Sequence, residues 1–107
     1  IVKGSLERYR DLIYIDDVVN GWMKVLLSER KNEIFNLGTG KKTTFLELIK
    51  TIAKSLDITN LNIVEEGGTP GDVMGCFADM SKLKEFTGFE IEYNLEKGLN
   101  EMIKFYK

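Results

Sequence analysis

Short apolar runs of extended type alternate with amphipathic helical runs along the whole chain, separated by ten glycines and a single proline. That alternation predicts one α/β unit over residues 1–107, with short strands and four helices and no internal repeat or linker. Leu12-Ile13-Tyr14-Ile15 reads as a strand, and Asp16 or Asp17 as the cap of the helix that follows. In that helix Val18, Trp22 and Leu26, with Val19, Met23 and Leu27, form one apolar face that ends near residues 28–32. Ile34-Phe35-Asn36-Leu37 is a second strand, closed by Gly38-Thr39-Gly40. Thr44 and Glu47 have capping-box spacing, ahead of a buried stripe of Phe45, Leu48, Ile49, Ile52, Ala53 and Leu56. Leu61-Asn62-Ile63-Val64 is a third strand, and residues 67–71 an irregular loop. Asp79 or Ser81 caps a short helix with Leu83 and Phe86, stopped by Gly88. Ile91 and Tyr93 are extended, and Asn94 caps a last helix that buries Leu95, Leu99, Met102, Ile103 and Tyr106.

Composition excludes several function classes. Fifteen basic against seventeen acidic residues leave a net charge of −2, with no basic surplus to attract nucleic acid. The absence of histidine removes Ser-His-Asp and Cys-His nucleophile systems and the commonest zinc ligand, so no metal site is expected. Cys76, the single cysteine, has no internal disulfide partner, which suits a reducing cytoplasm. The longest apolar stretch, Trp22 to Leu27, is interrupted by Lys24 and is too short to span a membrane. Ile1-Val2-Lys3-Gly4 does not have the form of a signal peptide. It reads as the tail of a strand already under way, so the expectation is a piece of a longer chain.

Three patterns have a plain structural explanation. Gly38-Thr39-Gly40-Lys41-Lys42-Thr43 follows a strand and precedes a helix, but Thr43 stands where a dinucleotide turn needs its third glycine, and Phe35 where a P-loop needs its first. A turn into a capped helix is the better reading. Tyr93-Asn94-Leu95-Glu96-Lys97 spells a tyrosine–lysine pair, yet a cap at Asn94 leaves Tyr93 outside the helix that such a pair must share. Asp16-Asp17 and Glu65-Glu66 are adjacent carboxylates that point different ways, read as capping and as a solvated strand end.

Two segments point toward a ligand. In extended backbone Arg8 and Arg10 share a face, which suits a diphosphate clamp, although two solvated arginines would fit the same residues. In Thr69-Pro70-Gly71-Asp72-Val73, Pro70 and Gly71 shape a turn that presents Asp72 as an acceptor for sugar hydroxyls or an arginine; a plain turn is again the simpler account.

Taken in order, five segments resemble the C-terminal part of nucleotide-sugar epimerases and dehydratases, the extended short-chain dehydrogenase/reductase family. They are Arg10-Asp11-Leu12-Ile13-Tyr14-Ile15-Asp16-Asp17-Val18-Val19, Phe35-Asn36-Leu37-Gly38-Thr39-Gly40, Thr69-Pro70-Gly71-Asp72-Val73, Ala78-Asp79-Met80-Ser81-Lys82 and Leu95-Glu96-Lys97-Gly98-Leu99. UDP-glucose 4-epimerase-like members are the most similar branch. The resemblance implies a parent enzyme whose N-terminal Rossmann domain binds NAD and carries the catalytic tyrosine and lysine. This part would bind a UDP-hexose, with Arg10 on the diphosphate and Asp72 in the substrate loop. Thr69 departs from the family, where an arginine often stands three residues before that aspartate, and Arg8 is expected to restore the charge. No catalytic residue and no cofactor site are expected on this chain, which alone should be catalytically silent. A sugar-nucleotide 4,6-dehydratase or decarboxylase, or a stand-alone binding module, would keep the same grip. Separation from the Rossmann domain should uncover apolar surface, with Trp22, Phe35 and Phe77 as candidates, and lead to self-association.

Overall fold

The computed structural model describes residues 2–29, 32–60, 62–67 and 74–106. Among the described residues four helices carry the architecture: α1 (Ile15–Leu27), α2 (Phe45–Ser55), α3 (Ser81–Thr87) and α4 (Leu95–Tyr106). The strands are two-residue pairs. β1 (Val2–Lys3) runs parallel to β4 (Glu65–Glu66), and β2 (Tyr9–Arg10) runs antiparallel to β3 (Thr43–Thr44), with Tyr9 opposite Thr44 and Arg10 opposite Thr43.

The expected strands at residues 12–15 and 34–37 do not form, and neither does the described part, residues 62–64, of the third. An apolar run becomes a strand only if a partner supplies the other half of the ladder, and these runs find none among the described residues. Their side chains are used differently. Phe35 and Leu37 pack on a core of Met80, Leu83 and Phe89, together with Val25, Ala78 and Ile91. Leu83 and Phe89 are each 1% exposed.

Helix α1 begins at Ile15, three residues before the expected start, with Tyr14 as an extended N-cap that makes no side-chain cap bond. Asp16 and Asp17 therefore lie in the first turn, where a carboxylate complements the helix dipole. The later boundaries follow the sequence signals. Thr44 Oγ1 accepts from Glu47 N at 3.1 Å, Asn94 Oδ1 accepts from Lys97 N at 2.8 Å, and Gly88 stops α3 in the left-handed region at φ 70°. At α3 neither expected cap applies: Met80 is the N-cap, while the Asp79 carboxylate accepts from the amide and hydroxyl of Ser81.

The stripe of α1 faces outward: Trp22 is 63% exposed, and Val19, Met23, Leu26 and Leu27 are exposed as well. Leu56, Met102 and Tyr106, expected in the interior, are also exposed, whereas Phe35 is half-buried rather than uncovered. The molecule is accordingly a slab of 49 × 36 × 18 Å. Its radius of gyration is 16.4 Å, whereas a compact domain of this length would have about 13 Å. No helix among the described residues is long and apolar enough to cross a membrane.

Candidate functional site

The site begins with the alternation of β2. Arg8 and Arg10 flank Tyr9 and project to one side, where both guanidinium groups lie over the ring of Phe45, with Cζ 4.5 Å and 5.9 Å from its centroid. Phe45 reaches this position through the backbone, since its amide donates to Arg8 O at 2.8 Å. Arg8 Nε donates to Ser5 O at 3.2 Å. Gly4 adopts φ 95°, which favours glycine, and a Cβ there would come within 2.7 Å of Arg8 Cζ and push the guanidinium aside. Arg10 Nη1 donates to Tyr9 O at 2.7 Å and to Met74 O at 3.4 Å. Tyr9 turns the other way, with its ring 6.4 Å from that of Phe77 and Lys42 Nζ 5.0 Å from its centroid.

The structure thus brings Arg8 and Arg10 together. Asp72, with the rest of the Thr69-Pro70-Gly71-Asp72-Val73 segment, lies outside the described residues. Met74, two residues beyond Asp72 in sequence, accepts from Tyr9 N at 2.9 Å as well as from Arg10.

Two buried or half-buried carboxylates organise the frame around the arginines. Asp11 accepts from Thr39 N at 2.8 Å, Thr39 Oγ1 at 2.5 Å, Gly40 N at 3.0 Å and Ala78 N at 3.0 Å. Burial pushes its carboxyl up, but the Thr39 hydroxyl and the three amides outweigh that and hold it below the ordinary carboxylate value. Asp17 is fully buried and accepts from Glu92 N and Tyr93 N, each at 3.0 Å, tying the start of α1 to the approach to α4.

Asp11 also decides what the Gly38–Thr43 turn can do. The amides of Thr39 and Gly40 are taken by its carboxylate, that of Gly38 points to Met80 Sδ at 3.1 Å, and that of Lys41 to Thr39 Oγ1 at 3.1 Å. The first amides of α2 are engaged too: Phe45 on Arg8 O, Leu46 on Leu6 O and Glu47 on Thr44 Oγ1. A phosphate cradle needs such donors converging on open space. Here they converge on protein.

Tyr93 and Lys97 do meet, but as a cation over a ring, with Nζ 4.5 Å from the centroid. Partial burial, then the carboxylates of Asp16 and Glu101, push the Tyr93 phenol up, opposite to the shift a tyrosine acting as proton shuttle needs. Its ring stacks on Tyr14 at 4.7 Å. Glu65 and Glu66 are exposed in β4, as their sequence suggests, with Glu65 Oε1 accepting from Leu6 N at 3.2 Å. Among the described residues no cluster of His, Cys, Asp and Glu could hold a metal ion.

The sequence carries no local sign of Asp11 or Phe45. The partners of Asp11 are 28, 29 and 67 residues away, and Phe45 looks like any apolar first-turn residue. The one usable hint is the extended backbone at Tyr9, which sends Asp11 to the side opposite Arg10.

No protein-family model matches the chain. Individual relatives do. The chain is 32% identical over 106 residues to UDP-glucuronic acid decarboxylase 2 of Arabidopsis thaliana, which covers 99% of this chain and 23% of that one. It is 33% identical over 91 residues to UDP-glucose 4-epimerase of Bacillus subtilis, covering 82% and 26%. The solved structure of UDP-glucose 4-epimerase from Thermotoga maritima, with UDP-glucose, superposes with a TM-score of 0.86 at 33% identity, covering 98% of this chain and 34% of that one. For eight of its curated relatives the share of their length spanned by this chain runs from 23% to 34%. The chain belongs to the NAD-dependent nucleotide-sugar epimerase/dehydratase family, and corresponds to about a third of the length of its members.

Proposed function

We propose that residues 1–107 are the C-terminal, nucleotide-sugar-binding part of a UDP-glucose 4-epimerase-like protein. The NAD-binding Rossmann domain and its catalytic tyrosine and lysine would then lie in the remainder of the parent. The observation that carries this reading is the approach of both Arg8 and Arg10 to the ring of Phe45, with Arg10 bonded to the Met74 carbonyl. Two guanidinium groups on one side of a strand match the two phosphates of a UDP-hexose, and Asp72, by its resemblance to the family's substrate-binding aspartate, would meet the nucleotide or sugar.

Among the described residues the Gly38–Thr43 turn does not fit the phosphates of NAD, because the amides of Thr39 and Gly40 hold Asp11 and those of Gly38 and Lys41 point to Met80 and Thr39. No chemical step is therefore assigned to them. Their part is to bind and orient the sugar nucleotide, and the isolated chain has no turnover of its own.

The relative from Arabidopsis supports a second reading, a decarboxylase with the same grip and different chemistry in the remainder of the parent. Both readings are tested first at the shared step. In the full-length protein, Arg10→Ala should weaken UDP binding by calorimetry by about tenfold or more, the loss of one charge-assisted contact. Unchanged affinity would sink the clamp. Conversion of UDP-galactose or of UDP-glucuronic acid by the wild-type protein then separates epimerase from decarboxylase.

A further inference from the structure

We infer that the outward apolar stripe of α1 is the seat of the remainder of the parent polypeptide; the inference rests on the reading of residues 1–107 as one part of a longer chain. The inward side of the helix is already occupied. Asp17 and Gly21 are buried there, and a Cβ on Gly21 would come within 2.8 Å of Leu37 Cδ1. Val25 packs on the core of Met80, Leu83 and Phe89. At 3.6 residues per turn, Ile15, Val19, Trp22, Met23 and Leu26 share a different arc of about 100°. All five are exposed.

An arc of that width is what a surface helix normally turns toward a core. Helix α1 therefore carries two contact faces, with the exposed polar residues Asp16, Asn20 and Lys24 on the flank between them. Such a helix belongs between two bodies, and the described residues supply one. Within the arc the only side-chain polar group is the indole N–H of Trp22, so the matching surface of the second body is apolar.

Size and connection identify that body. Thirteen residues give a face about 20 Å long and about 10 Å wide. A stable interface between separate molecules buries about 800 Å² on each partner, more than this face offers. A second copy thus reaches it only at high concentration. A tethered occupant has no such requirement, because covalent connection holds its effective concentration near millimolar at any dilution. The chain covers 34% of the Thermotoga maritima epimerase, which leaves most of a protein of that length to form the second body.

Hydroxyl-radical footprinting of the full-length protein, read by mass spectrometry, tests the inference. Trp22 is 63% and Met23 47% exposed in the described chain. Uncovered, each should oxidise within about threefold of its rate in the urea-unfolded protein; covered, at least about tenfold more slowly. Rates of both residues within threefold of the unfolded rates overturn the inference. Benzoylphenylalanine in place of Leu26 then identifies the occupant. Its photoproduct should keep the mass of one chain and join α1 to a peptide from outside residues 1–107. A product of twice that mass assigns the stripe to a second copy and overturns the inference, as does a cross-link confined to residues 1–107. The underlying reading fails separately. A natural protein no longer than 107 residues, by intact mass, ends that reading and the inference with it. A longer protein that binds UDP but oxidises Trp22 and Met23 at the unfolded rates loses only the inference.

Discussion

Asp17 and Arg10 stand seven positions apart and use their charges in opposite directions. Asp17 is sealed inside, its two oxygens accepting from Glu92 N and Tyr93 N, and the nearby Asp11 accepts four bonds from two segments. Arg10 and Arg8 instead lie on the face of a neutral ring. The same contrast runs through the apolar residues: Met80, Leu83 and Phe89 close on one another, whereas the stripe of α1 faces outward. The first group, here the closed side, is satisfied within the chain; the second, the open side, is where we expect a ligand or partner. Substitutions on the closed side should cost folding, and those on the open side binding or association.

The sharpest test of the closed side is Asp17→Ala. It leaves two backbone donors without acceptors in a fully buried place, and loss of two bonds to a charged acceptor should cost about 3 kcal/mol or more. Chemical denaturation of the protein would read it. Asp17→Asn refines the result, because it keeps the shape but turns an NH2 group toward an amide. A cost below about 1 kcal/mol for the alanine variant would mean that water enters and that this side is less closed than the geometry implies.

Asp11 gives a second, pH-dependent test. Its carboxyl is held below the ordinary value in the folded state, so the unfolded chain takes up the proton first as pH falls. The stabilising contribution is complete above the unfolded value of about 3.9 and disappears as pH drops through the lower folded value. Stability should therefore fall more steeply below about pH 4 in the wild type than in Asp11→Asn. Asp79, held low by the Ser81 hydroxyl and amide, titrates in the same window, which is why the difference between the two proteins is the measurement. Parallel acid limbs would remove Asp11 from the closed side.

How much of this could be read in advance follows the range of each interaction. The caps at Thr44 and Asn94 and the stop at Gly88 depend on neighbours a few residues away, and all three are where their sequence places them. The shared side of Arg8 and Arg10 follows from the two-residue period of extended backbone. The runs at 12–15 and 34–37 misled because strand identity depends on a distant partner, and a run such as Phe35 and Leu37 serves a helical core equally well. Phe45 escaped notice for a related reason: its meaning comes from the β2–β3 pairing, which aligns Tyr9 with Thr44.

The smallest expected effect on folding, and the one most able to break the contrast, concerns Trp22. Its ring is mostly exposed, so Trp22→Gln should change the stability of the chain by less than about 0.5 kcal/mol. The same substitution should markedly reduce self-association of the isolated 107-residue chain, because it interrupts a stripe that continues through Val19, Met23 and Leu26. Light scattering over a concentration series reads the second effect, and urea titration the first. If the wild-type chain stays monomeric at high concentration, the stripe needs no cover and the open side reduces to the arginine pair. If Trp22→Gln instead unfolds the chain, the residue belongs to the closed side, and the division drawn through α1 lies in the wrong place.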